Sequence, residues 1–201
     1  MYLRAFLVVV CLLAGSAASS AADIEGIRIT DRVDLQPENV TLQLNGAGVR
    51  HRMAVVKVYV GALYLVTKSP DAAAIIEDPS AKRLSMHIVA DQVTAQDLIS
   101  SMNNALAANH IPAELALVES RIRELNRTMQ TVGSLPKGAV ITLDYLPGTG
   151  TRVSINGEPR ITISGRDFHQ AMLRVWLGSR PVDGRLKDAM LGSPGGFSLF
   201  K

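Results

Sequence analysis

The stretch LNGAGVRHRMAVVKVYVGALYL, Leu44 to Leu65, decides how the chain is read. It joins the glycine-rich Asn45-Gly46-Ala47-Gly48, which predicts a turn, to a basic cluster, Arg50-His51-Arg52. A β-favouring run, Met53 to Val66, follows and is interrupted only by Lys57. Valine, tyrosine and leucine dominate the run, and such side chains suit a pleated, half-buried surface. Near-continuous apolarity predicts a central strand covered on both faces, with a bend at Gly61. Arg50 at its mouth and Lys57 inside it are the two residues that packing alone does not call for.

Working outward, Ile24 to Leu35 alternates weakly and predicts one or two edge strands or a small hairpin, and Val40–Leu44 a strand entering the glycine turn. Beyond the central run, Ser69-Pro70-Asp71 starts a short helix over Ala72–Glu77, and Arg83–Val89 is a further strand. Thr94-Ala95-Gln96-Asp97 caps a helix running to about Asn109, with Leu98, Met102, Ala105 and Leu106 at helical spacing. Pro112 opens another, with Leu115, Val118, Ile122, Leu125 and Met129 on one stripe. Val140–Leu146, Thr151–Ile155 and Arg160–Ser164 form a β-meander punctuated by Pro147-Gly148-Thr149-Gly150 and by the hairpin signal Asn156-Gly157. A helix carrying Phe168, Met172, Val175 and Trp176 ends at Gly178, and Pro181–Leu191 forms a last short helix ending at Gly192. The pattern is α+β: an antiparallel sheet with a layer of helices on one face.

The chain has 201 residues, 47% of them hydrophobic and 19% charged, which fits one folded domain and not a disordered chain. A net charge of +3 spread along the sequence and an aromatic content of 4% give no support to nucleic-acid binding. Residues 1–22 predict a secretory leader, leaving 23–201 as the domain. Arg4 supplies a positive start, Ala5 to Gly15 an apolar core short for a membrane span, and Ser16 to Ala22 small residues suited to cleavage. Cys11, the only cysteine, lies inside that leader, so thiol chemistry and disulfides are excluded from the mature chain. Export to a bacterial periplasm is the expectation, because larger exported eukaryotic domains often carry disulfides.

The chemical inventory is short. Gly-x-Ser-x-Gly is absent, no phosphate loop or dinucleotide fingerprint occurs, and His51, His87, His110 and His169 lack metal-ligand spacing. No cofactor or metal is expected. Arg50 is the leading site residue, since a guanidinium stays charged and offers a planar fork for a carboxylate or phenolate. The plain alternative is a solvated arginine at a strand end. Lys57 and Tyr59 share parity, which predicts that they face the same side; if that face lines a cleft they join Arg50 around an anion, and the equal alternative is a snorkelling lysine and a packed tyrosine. Met172 and Trp176 read as core.

Three segments carry a family resemblance: Gly46–Arg50 with Lys57–Tyr64, then Gly138–Gly157, then Arg174–Gly192. Together they resemble the chalcone isomerase-like proteins, more narrowly their bacterial exported branch, from about Asp23 to the C-terminus. The resemblance implies an open-faced sheet-and-helix sandwich with a cleft between the layers, and it favours a functional Arg50. Plant-type members cyclise chalcones with an arginine, a strand threonine, a helix tyrosine, an asparagine and a late threonine or serine. Here the resemblance sets Arg50 on the arginine, Tyr59 on the strand threonine, Leu98 near the tyrosine and Val175 on the late threonine, with Asn103 and Asn104 near the asparagine. One match in five points to the non-catalytic side of the family, whose fatty-acid-binding members hold a carboxylate with an arginine.

The expected function is therefore binding of a small amphipathic or phenolic anion at Arg50, Lys57, Tyr59, Asn103 and Asn104. The alternatives are an isomerase (intramolecular lyase) of chalcone-like phenols, and an envelope interaction protein using the Pro181–Lys201 tail or an exposed strand edge.

Overall fold

The computed structural model describes residues 21–53 and 55–193. Seven antiparallel strands form the main sheet in the order β11-β10-β9-β6-β5-β4-β3. They are β3 (Arg32–Leu35), β4 (Val40–Arg52), β5 (Val56–Leu65), β6 (Lys82–Ile88), β9 (Val140–Leu146), β10 (Gly150–Ile155) and β11 (Glu158–Ile163). β1 (Ala21–Ile24) and β2 (Ile27–Thr30) make a separate hairpin, so the last two residues of the small-residue run take part in a strand. Two short strands not anticipated from the sequence, β7 (Gln92–Thr94) and β8 (Ser134–Pro136), pair beside the helices. Three residues each are too few for a legible alternation.

β5 lies between β4 and β6 and is buried from Val58 to Leu65, as its unbroken apolarity requires. Tyr59, Leu63 and Leu65 join the core beneath the helices, whereas Val60, Ala62 and Tyr64 face Ile24 and Ile29 of the β1–β2 hairpin. The helical layer consists of α2 (Ala95–Asn109), α3 (Pro112–Gln130) and α4 (Arg166–Leu177), with α1 (Ala72–Glu77) packed on α4. Thr94 caps α2 by accepting from the Asp97 N–H, and Asp71 caps α1 by accepting from Ala73 and Ala74. The Asn156-Gly157 corner has φ of 51° and 81°, the paired left-handed conformation of a two-residue hairpin.

Asn45 to Gly48 do not form a turn. β4 runs through them without a break, and the reversal comes after Arg52. The glycines answer a different need, the close approach of α5 (Gly184–Met190) to β4 and β5. A Cβ on Gly46 would lie 2.0 Å from the Ala189 carbonyl oxygen, and one on Gly48 2.6 Å from the Ala189 Cβ. Asn45 stands at a register irregularity and fastens the crossing. Its Nδ2 donates to the Ser69 and Met190 carbonyls at 2.9 and 2.7 Å, and its Oδ1 accepts from the Ser69 N–H at 2.8 Å. The predicted tail is described only to Ser193; the rest, like residues 1–20 of the leader, lies outside the described residues.

Candidate functional site

On the helix side of β4, positions 46, 48 and 50 alternate onto one face. The first two are glycines under α5, and the third is Arg50, where α5 has ended and α2 begins to cover the sheet. Residue 50 is 8% exposed. Its Nη2 donates to the Ser101 hydroxyl of α2 at 2.5 Å, and its guanidinium carbon lies 5.4 Å from the centre of the Tyr59 ring. Its Nε is buried without a hydrogen-bond partner, and no carboxylate of the described residues comes within 4.0 Å of the guanidinium. The nearby acid, Asp183, is engaged elsewhere: it accepts from the backbone N–H groups of His51, Arg185 and Leu186 as the N-cap of α5.

Tyr59 pairs directly with Arg50 across the β4–β5 ladder. Its hydroxyl accepts from Trp176 Nε1 at 2.8 Å. Burial raises its pKa to about 12, against the opposing pull of the Arg50 charge, so the phenol keeps its proton at any working pH. Among the described residues that proton meets no acceptor.

Between Arg50 and the meander lies a narrow apolar cavity of about 60 Å³, roofed by α2, α3 and α4 and floored by β5, β6, β9 and β10. Its wall includes Met86, Met102, Met129 and Met172, four of the seven methionines in the chain. Methionine is unbranched and polarizable, so this wall can be displaced at low cost. Arg50, Leu98 and Ser101 also border a second hollow of about 340 Å³, of mixed lining, where Arg52, Gln92, Asp97 and Asn104 alternate with Val56, Val58, Ala90 and Val93. Arg50 therefore stands where a larger hollow of mixed lining meets the apolar slot.

Of the five expected site residues, Arg50 and Tyr59 meet at the cavity. Lys57 does not. Its Nζ is bound by Glu25 Oε2 at 2.8 Å at the corner of the β1–β2 hairpin, with half its side chain in solvent. Shared parity presumes an unbroken pleat, and the register shifts between Arg50 and His51, opposite the start of β5 where Lys57 sits. Asn103 accepts at 3.4 Å from Asn126 of α3 and lines neither hollow, whereas Asn104 is exposed at the larger hollow. Met172 and Trp176, expected as plain core, are buried but also line the cavity. Ser101 escaped notice, although a serine three residues after Leu98 on an otherwise apolar stripe is the signal that would find it. Leu98 and Val175, set by the resemblance near the isomerases' tyrosine and late threonine, both face the cavity with apolar side chains.

The family model for chalcone isomerase-like proteins matches residues 21–192. The chain belongs to the chalcone isomerase-like family. No curated protein matches it significantly. Among solved structures it is similar to a fatty-acid binding protein from Arabidopsis thaliana, with a TM-score of 0.57 at 13% identity; the match covers 80% of this chain and 95% of that one. That likeness is one of fold. Among the described residues no group of three or more His, Cys, Asp or Glu is placed to hold a metal, and no helix is long and apolar enough to cross a membrane.

Proposed function

We propose that the chain is an exported periplasmic protein that binds a fatty-acid-like amphiphile without transforming it. The carboxylate sits against Arg50 and the acyl chain occupies the methionine-walled slot. The observation that carries this reading is the state of Arg50. A permanently charged group is buried beside an apolar cavity with one hydroxyl partner, an idle Nε and, among the described residues, no carboxylate in contact. Such a charge is costly unless an anion meets it. The Tyr59 proton and the Ser101 hydroxyl lie beside it, so a carboxylate there finds a cation and neutral donors together.

The apolar lining of the slot suits an acyl chain, and its four flexible methionines can move aside to admit one. The solved neighbour of the same fold, a fatty-acid binding protein, agrees with this reading. Cyclisation of a chalcone is disfavoured by Leu98 and Val175, since an apolar wall there supplies no donor for charge developing on a carbonyl oxygen. Lys57 has no part in the site as drawn, and Asn104 belongs to its approach.

Native mass spectrometry of the protein recovered from its own periplasm, followed by calorimetric titration with saturated fatty acids, tests the proposal. One acid bound per chain is expected, with chalcone absorbance in its presence decaying no faster than in buffer. An empty protein that also ignores the fatty acids, or one that accelerates chalcone loss, overturns it.

A further inference from the structure

The reversal between β4 and β5 places Met53 and Val55 in solvent, 84% and 78% exposed. Hairpin corners ordinarily carry Gly, Asn or Asp, which are polar and tolerate left-handed backbone. Met53 holds φ of 52°, a conformation in which methionine is locally disfavoured. Met53 is therefore apolar against its own backbone preference, and no described residue buries it or Val55.

Its position supplies the reason. Arg52 and Val56, on either side of the corner, line the larger hollow, which shares Arg50, Leu98 and Ser101 with the slot. Arg52 and Lys57 flank the corner, paired with Asp97 at 3.6 Å and Glu25 at 2.8 Å in ion pairs open to water. Exposed pairs of this kind contribute little, so either cation can leave its partner at small cost. We infer that the β4–β5 corner docks on a phospholipid bilayer: Met53 and Val55 enter the acyl boundary, Arg52 and Lys57 lie at headgroup level, and the larger hollow opens onto the membrane. Two apolar side chains are far too little surface for a stable protein interface, which takes about 800 Å² from each partner. Shallow bilayer insertion flanked by cations needs no such area. The choice of cargo rests on the function proposed above; the docking rests on the corner alone.

Flotation with ligand-free vesicles of phosphatidylglycerol and phosphatidylethanolamine isolates the docking step. Wild type is expected to float, and the double variant Met53→Ser/Val55→Ser to partition at least about tenfold more weakly. Met53→Asn, suited to left-handed backbone, gives a second variant that folds at least as well and should weaken flotation in the same direction. In a second arm, uptake of a fluorescent fatty acid from the same vesicles should quicken with vesicle concentration for wild type only, with affinity for the monomeric acid unchanged by the double substitution. Wild type that stays off the vesicles, or a double variant that floats equally well, overturns the inference. Flotation without any fatty-acid uptake upholds the docking and fails the cargo. Solution binding of the acid without flotation upholds the cargo and fails the docking.

Discussion

Replacing Arg50 by Met separates a ligand-binding cation from a structural one, because stability and affinity should move in opposite directions. In the folded protein Arg50 makes one hydrogen bond to Ser101 and lies 5.4 Å from the Tyr59 ring centre. Losing these contributes about 0.5–1.5 kcal/mol for the hydrogen bond and about as much for the cation–π contact. Against that stands the relief of a buried guanidinium whose Nε has no partner, a penalty of several kcal/mol before compensation. Methionine refills the space with apolar volume. The expected result in urea unfolding of the ligand-free protein is no loss of stability, or a modest gain. Fatty-acid affinity should meanwhile fall by roughly 1.5–3 kcal/mol, the range of hydrogen bonds to charged groups, which is about ten- to hundredfold in Kd. Arg50→Lys should recover part of this, since the charge returns without the fork. A Met variant that unfolds much more easily yet binds the acid normally would refute the reasoning and make Arg50 a structural residue.

Three further outcomes follow from the geometry. Gly46→Ala should cost about 3 kcal/mol in urea unfolding, because its Cβ meets backbone oxygen of α5, whereas Gly61→Ala should cost less, since it meets only side-chain ends, those of Met190 and Leu186. Tyr59→Phe should destabilise by about 1–3 kcal/mol by leaving the buried Trp176 N–H without its acceptor, and calorimetry should show a weaker carboxylate ligand as well. His169, held neutral by burial with its pKa lowered to about 3, makes the fold less stable as pH falls from about 6.5 toward 3, because the unfolded chain then binds a proton that the folded chain refuses. Burial lowers His87 in the same direction. His169→Asn should flatten the slope of unfolding free energy against pH in that window, and an unchanged slope would remove His169 from the account.

Sequence reading reached the sheet and helices because periodicity, caps and corner residues act locally. Thr94, Asp71 and Asn156-Gly157 each do in the fold what their chemistry predicts. It misread Asn45–Gly48 because a glycine cluster has two uses, a tight turn or a close approach. Only the partner, here the backbone of α5 more than a hundred residues away in sequence, distinguishes them. Arg50 and Tyr59 were legible as a charge and a phenol beside an apolar strand. Lys57 was misplaced because parity carries a side chain only as far as the pleat is regular. Ser101 was passed over and the methionines of the wall read as plain core, because each sits on a helix stripe or strand face that looks like ordinary core until the layers are brought together.

The most direct test of the central claim is carbon-13 NMR of a carboxyl-labelled fatty acid titrated with acid while bound to the wild-type protein. A carboxylate against Arg50 gains a cation and hydrogen bonds that favour its charged form, so its signal should keep the ionised position well below the usual carboxyl range of about 4–5. Arg50→Met should move the titration upward. A bound acid that titrates at or above the free range in wild type, as an unpaired carboxyl in an apolar slot would, contradicts the placement of the headgroup at Arg50.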